Sequence, residues 1–230
     1  GSLFADENGE DERIVNWKKA ERWDDRTLYT LERDAFGFCL TGDMFDSYRV
    51  EARNFAIPFK DVRDSREQQT IAGIVQSVRT IAGKRGTFAV VALSDGQMTM
   101  DVLVFAKAYE NYKNMLKPDE MLIFTGKGRK DERSGGMSFV CDRVITIEEM
   151  RVQKGATLMI EIAEGQDLGA IRDVLLTGQD NDHPGVSCEI LIHSNGVKAE
   201  VFLKNSYAPT DKLLNQLKNS ESISLARFMY

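Results

Sequence analysis

Residues 70–150 hold five β-rich runs: "TIAGIVQSVRT", "TFAVVALSD", "QMTMDVLVF", "EMLIFTGKGRK" and "GMSFVCDRVITI". Turn chemistry separates the first three, through Gly83 and Gly86 and then Ser94-Asp95-Gly96. A helical stripe of Ala108, Tyr112, Met115 and Leu116 lies between the third and fourth, closed by Pro118. The chain must therefore satisfy the order β-β-β-α-β-β within one short stretch.

That order is the order of the OB-fold, a five-stranded Greek-key barrel with its helix between strands three and four. The flanks read differently. Residues 1–69 are a solvated lead-in followed by short helices, with Asp43 placed as an N-cap after Gly42. Residues 156–230 read β-α-β-β-α-β, with an Asn195-Gly196 hairpin turn and Pro209 just before Thr210 at the start of the second helix. The expectation is a mixed β and α+β chain: a helical lead-in (1–69), an OB barrel (70–150), and a small βαββαβ domain (156–230). The last is expected to carry helices on one face of an antiparallel sheet. "RVQKGA" (151–156) is read as the joint.

Charge distribution points to one surface. The chain has a formal net charge of -6, yet residues 70–150 carry 11 Lys+Arg against 10 Asp+Glu. Two of the barrel's loops are basic. The first, "RTIAGKRGTF", has Lys84 and Arg85 at its tip and Arg79 at its base. The second, "GKGRKDERSGGM", has Lys127, Arg129, Lys130 and Arg133. In an OB-fold these two loops grip a ligand crossing strands two and three, and the topology is expected to bring them to the same side of the barrel. Mobile cations beside glycines suit a single-stranded phosphate backbone, because they displace condensed counterions. The opposing reading is that hairpin tips are Gly plus charge because they are solvated, and Asp131 and Glu132 offset part of the second loop. Aromatic platforms are the other requirement. Phe88 opens strand two beside the basic loop, but both faces of that strand are apolar, so periodicity leaves its direction open. Phe105, Phe124 and Phe139 read as core.

Chemistry is sparse. The sequence contains no G-x-x-x-x-G-K-[ST], H-E-x-x-H or G-x-S-x-G, and its adjacent acids (Asp24-Asp25, Asp131-Glu132, Glu148-Glu149) read as solvated. Cys39, Cys141 and Cys188 have no C-x-x-C spacing, and with only His183 and His193 available neither zinc nor a cofactor is expected. No apolar run approaches the ~18 residues of a membrane span, and the acidic start is unlike a signal peptide. A cytoplasmic setting is expected.

Several stretches together resemble the C-terminal portion of the catalytic α subunit of bacterial DNA polymerase III, the C-family replicative polymerase. They are "LERDAFGFCLTGD" (31–43), "IAGIVQSVRTIAGKRGTFAVVALSDGQMTMDVLVFAKAYENYKNML" (71–116), "RSGGMSFVCDRVITIEEMR" (133–151) and "APTDKLLNQL" (208–217). The resemblance implies a non-catalytic part of a nucleotidyltransferase, since the family's polymerase carboxylates lie upstream. It implies that residues 31–60 follow a helix-hairpin-helix region, that the OB domain contacts single-stranded template DNA, and that the last domain docks the clamp-loader τ subunit, with Phe228 and Met229 as candidate contacts. Ser2-Leu3-Phe4 is similar to the tail of the family's sliding-clamp motif, which makes Leu3 and Phe4 candidate clamp contacts. The chain departs from the family in reading Gly42-Asp43-Met44 where Gly-His-Pro is usual, and in lacking a Phe between strands four and five. A free-standing OB adaptor that binds only protein is the alternative reading. An anticodon-binding OB domain of a class II tRNA synthetase would need a catalytic domain after the barrel, and the residues that follow are too few for one.

Overall fold

The structure is a computed structural model, and it describes residues 23, 25–37, 39–84, 86–130, 135–162, 166, 169–179, 183–194 and 197–230. Five strands close a barrel in the order β1-β2-β3-β5-β4: β1 (Gln69–Gly83), β2 (Gly86–Ser94), β3 (Thr99–Val104), β4 (Met121–Lys130) and β5 (Met137–Thr146). Helix α3 (Ala106–Tyr112) lies between β3 and β4, and its Tyr109 and Tyr112 pack on the barrel core. The β3–β5 pairing is parallel and the other four are antiparallel. This is the OB-fold.

β1 does two jobs. Its first part pairs with β4 from Gln69↔Gly126 to Ile74↔Met121; a register shift between Val75 and Ser77 then redirects it, and it follows β2 out to Gly83↔Gly86. An irregularity of this kind bends a strand and strengthens its twist, which small barrels need in order to close.

Inward residues alternate as a pleated strand requires. Ile71, Val75, Ala89, Val91, Leu93, Val102, Val104, Leu122, Phe124 and Phe139 form one buried cluster. Phe59 and Val62 of the lead-in belong to it too, and burying a side chain like Phe59 stabilises by about 1.5–3 kcal/mol. The opposite faces of β1, β4 and β5 are also covered. Ala72, Ile74, Met121, Ile123 and Ile145 pack against Met44, Phe45 and Ala52, at and in α2 (Asp46–Ala52), and Met150. The other helix of the lead-in is α1 (Asp25–Phe36). Asp43 caps less directly than its position suggests. Its Oδ1 accepts from Phe45 N at 2.8 Å, while Asp46 Oδ2 accepts from Asp43 N, so the pair closes the turn before the helix. Buried Asp95 joins lead-in to barrel: its carboxylate accepts from the backbone N–H of Phe59, Gln97 and Met98.

The last sheet has the order β8-β7-β6-β9, from β6 (Thr157–Ile162), β7 (Val186–Ser194), β8 (Val197–Tyr207) and β9 (Ile223–Met229). Helices α5 (Gly169–Gly178) and α6 (Asp211–Lys218) bury Ile171, Leu175, Leu213 and Leu217 against its Leu158, Ile160, Cys188 and Ala226. The order β-α-β-β-α-β is as expected, but the sheet is not all antiparallel, because β6 and β7 run parallel. A helical crossover such as α5 returns the chain to the starting edge, and that is what lets neighbouring strands point the same way.

The joint is a buried anchor. Helix α4 (Ile147–Gln153) is fixed by a capping box, in which Thr146 and Glu149 exchange side-chain-to-backbone bonds. Its Arg151 is 1% exposed. The guanidinium donates to Glu51 Oε1 (2.7 Å) and Oε2 (2.8 Å) of α2 and to the Pro209 carbonyl (2.7 Å), pairs with Asp211 Oδ1 (2.9 Å) of α6, and lies 4.1 Å from the Phe228 ring centroid. Tyr48 Oη donates to Asp211 and Tyr230 Oη to Glu51. Lead-in, barrel and last sheet therefore meet on one side chain.

Candidate nucleic-acid interface

The cross-strand registers place one row of outward side chains across the barrel: Arg79↔Val90, Val90↔Leu103, Leu103↔Val140 and Val140↔Lys127. Three apolar residues thus run between two cations over four inter-strand steps, roughly 19 Å at ~4.8 Å per strand; Leu103 and Val140 are half-buried, and Val90 is only 8% exposed. Beside this row, toward the β1–β2 tip, Ile81 pairs with Phe88, and the Phe88 ring meets Phe105 at a centroid distance of 5.9 Å. The register settles the direction of Phe88. Ala89, Val91 and Leu93 fill the barrel, so Phe88 and Val90 point out.

Phe124 and Phe139 are fully buried as expected, but Phe105 is 50% exposed. The reason is pairing parity. Met100, Val102 and Val104 alternate inward, and Phe105 follows them onto the outer face, where the chain turns into α3. The alternation was visible in "QMTMDVLVF"; the bulk of the side chain argued the other way. Ile81, 45% exposed, also belongs to this outer face, and the sequence reading did not single it out.

The two basic hairpins do not lie at the same end of the barrel. The β1–β2 tip lies past the Ala89↔Val104 end of β3. β5 pairs parallel to β3 at Val102↔Phe139, so the Lys130 end of β4 and the Met137 start of β5 lie at the opposite end of β3. The tips bracket the β2–β3 face. Lys84 at the first tip is exposed, as is Lys130 near the second. Arg79 is exposed, 3.9 Å from Asp101, and Arg129 is 3.7 Å from Asp64. These loose surface pairs hold the guanidinium groups weakly. Lys127 is half-buried beside Val140. Arg85, Arg133, Leu3 and Phe4 lie outside the described residues. At the chain's end, Phe228 is buried in the last sheet's core, under Arg151, and is unavailable to a partner, whereas Met229 is 40% exposed. Strand alternation sends the two neighbours to opposite faces.

A family model described as an OB-fold nucleic acid binding domain matches residues 69–152. Among curated proteins, DNA polymerase III subunit alpha of Neisseria meningitidis serogroup B is 29% identical over 203 residues, 86% of this chain. That of Pseudomonas fluorescens is 26% identical over 229 residues, 95% of this chain. The chain resembles DNA polymerase III subunit alpha over most of its length. It spans 18–19% of the length of these alpha subunits, less than a fifth of each. Among solved structures, RecG bound to a three-way DNA junction aligns at a TM-score of 0.33 and 21% identity, covering 38% of this chain and 12% of RecG. No helix among the described residues is long and apolar enough to cross a membrane.

Proposed function

We propose that the outer face of β1, β2 and β3 binds single-stranded template DNA as a non-catalytic part of a polymerase like the alpha subunits it resembles. One observation carries this reading: the row from Arg79 through Val90, Leu103 and Val140 to Lys127, with Phe88 and Phe105 beside it. Phosphates meet the cations at the row's ends and bases lie on Leu103, Val140 and the Phe88–Phe105 pair, a division of labour that needs no base-edge readout. The resemblance to polymerase subunits favours this over a protein-only adaptor. Fluorescence anisotropy with a labelled oligothymidylate, titrated across salt, tests it. Phe88→Ala or Phe105→Ala is expected to cost about 1–3 kcal/mol per stacked base, and Arg79→Ala to flatten the salt slope by about 0.7. Equal affinity for a duplex of the same length, or variants that bind like the parent chain, would overturn the reading.

The same resemblance supports assigning the last unit, 156–230, to docking the clamp-loader τ subunit, with Met229 on the exposed side. Deleting that unit would strip Arg151 of Pro209, Asp211 and Phe228, so a surface change is the better test. Met229→Asp is expected to weaken τ capture in a pull-down and leave oligonucleotide binding unchanged; undiminished capture would remove Met229 from the interface.

A further inference from the structure

A cavity of about 120 Å³ lies off the barrel face, where α2, the lead-in turn and the β2–β3 turn converge. Arg49, Arg53, Lys60 and Gln97 line it above a floor that includes Ala56. Arg49 is oriented by two bonds to Asp46 Oδ1 (3.1 and 2.6 Å) and by the Phe45 ring 5.7 Å away. Arg53 and Lys60 are exposed and form no ion pair among the described residues. The acceptors around it are already hydrogen-bonded, and the one carboxylate in the lining, Asp95, is outnumbered by Arg49, Arg53 and Lys60. The Asp95 carboxylate takes three backbone N–H groups. The last carbonyls of α2 are covered as well, Glu51 O by Asn54 N and Ala52 O by Phe55 N and Ala56 N.

We propose that this cavity is a phosphate-binding site, and, resting on the template reading above, that it holds a backbone phosphate of the strand leaving the β2–β3 face. Charge sets the ligand class. Three cations from two segments supply charge-assisted donors. Gln97 places the cavity at the β2–β3 turn, the end of β3 opposite the β1–β2 tip.

Amide chemical-shift mapping on the full chain tests the site, using inorganic phosphate and oligothymidylate as separate probes. Oligothymidylate is expected to move the Ala56 and Gln97 amides along with those of Phe88 and Val90. Arg53→Ala/Lys60→Ala should abolish the first pair of shifts, retain the second, and flatten the oligonucleotide salt slope by about 0.7. Inorganic phosphate alone moving Ala56 and Gln97 identifies the site as a phosphate site independently of DNA. If DNA moves Phe88 and Val90 while neither probe moves Ala56 and Gln97, the cavity assignment fails and the barrel reading stands. If DNA moves no barrel amide, the template reading fails instead.

Discussion

Arg151→Met removes the one side chain on which lead-in, barrel and last sheet converge. Burial pulls the Arg151 pKa down, but the bonds and charges of Glu51 and Asp211 overcome this and hold it above the ordinary arginine value, so the group is charged at every practical pH. The substitution deletes three bonds and the ion pair to Asp211, leaving Glu51, Asp211 and the Pro209 carbonyl short of donors. Breaking a buried pair costs about 3–5 kcal/mol when the survivor stays dry. Here the Glu51 and Asp211 side chains keep 12% and 27% of their exposure and regain some water, so the low end, about 3 kcal/mol, is expected. For a chain of this size that corresponds to a fall in Tm of roughly 6–12 °C. Calorimetry supplies a second readout. If Arg151 couples the two sheets, the parent chain melts in one transition and the variant in two. A loss below about 1 kcal/mol with a single transition would show the network behaving as a surface ion pair, and the anchoring argument would be wrong.

Glu32 gives a pH test. Burial raises its pKa, but bonds from Thr41 and Leu40 outweigh that and set it below the usual glutamate value. A depressed carboxylate contributes stability above its unfolded pKa of ~4.3 and loses it as pH falls through the folded value, so Glu32→Gln should cost stability at about pH 6 and progressively less as the pH is lowered from about 4. A constant penalty across that range in a Tm series would refute it. Burial pushes the Cys141 and Cys188 thiols up to about 12, while Cys39 is half-buried. Iodoacetamide near neutral pH should therefore label native chain at Cys39 alone and all three cysteines after urea, and mass spectrometry of early labelling at Cys188 would contradict the packing of the last sheet.

How far the sequence discloses this molecule depends on which physical signal each part carries. The barrel strands are legible because turn residues bound them and one helical stripe breaks the series. The direction of Phe88 is not, because both faces of β2 are apolar: Ala89, Val91 and Leu93 fill the barrel, and Val90 on the opposite face is buried too. Two apolar faces cancel the period-2 signal. Phe105 reads as core because it closes an apolar strand, although the parity of Met100, Val102 and Val104 places it outside. The opposite placement of the basic tips follows from one parallel pairing, Val102↔Phe139, which has no local signature. Arg151 in "EEMRVQKGA" reads as an ordinary surface cation, since its partners Glu51 and Asp211 are distant in sequence.

The matched stretch begins at residue 69, yet Phe59 and Val62 lie inside the barrel and Asp95 is tied to the Phe59 amide. The OB-fold match and the physically complete barrel therefore have different borders here. A recombination event or an engineered graft that moved only the recognisable segment would carry a barrel with an open seam, and the apolar surface left bare there would favour sticking to its neighbours over solubility. Any lineage that exchanged this barrel between proteins had to carry the upstream turn with it or evolve a substitute for Phe59.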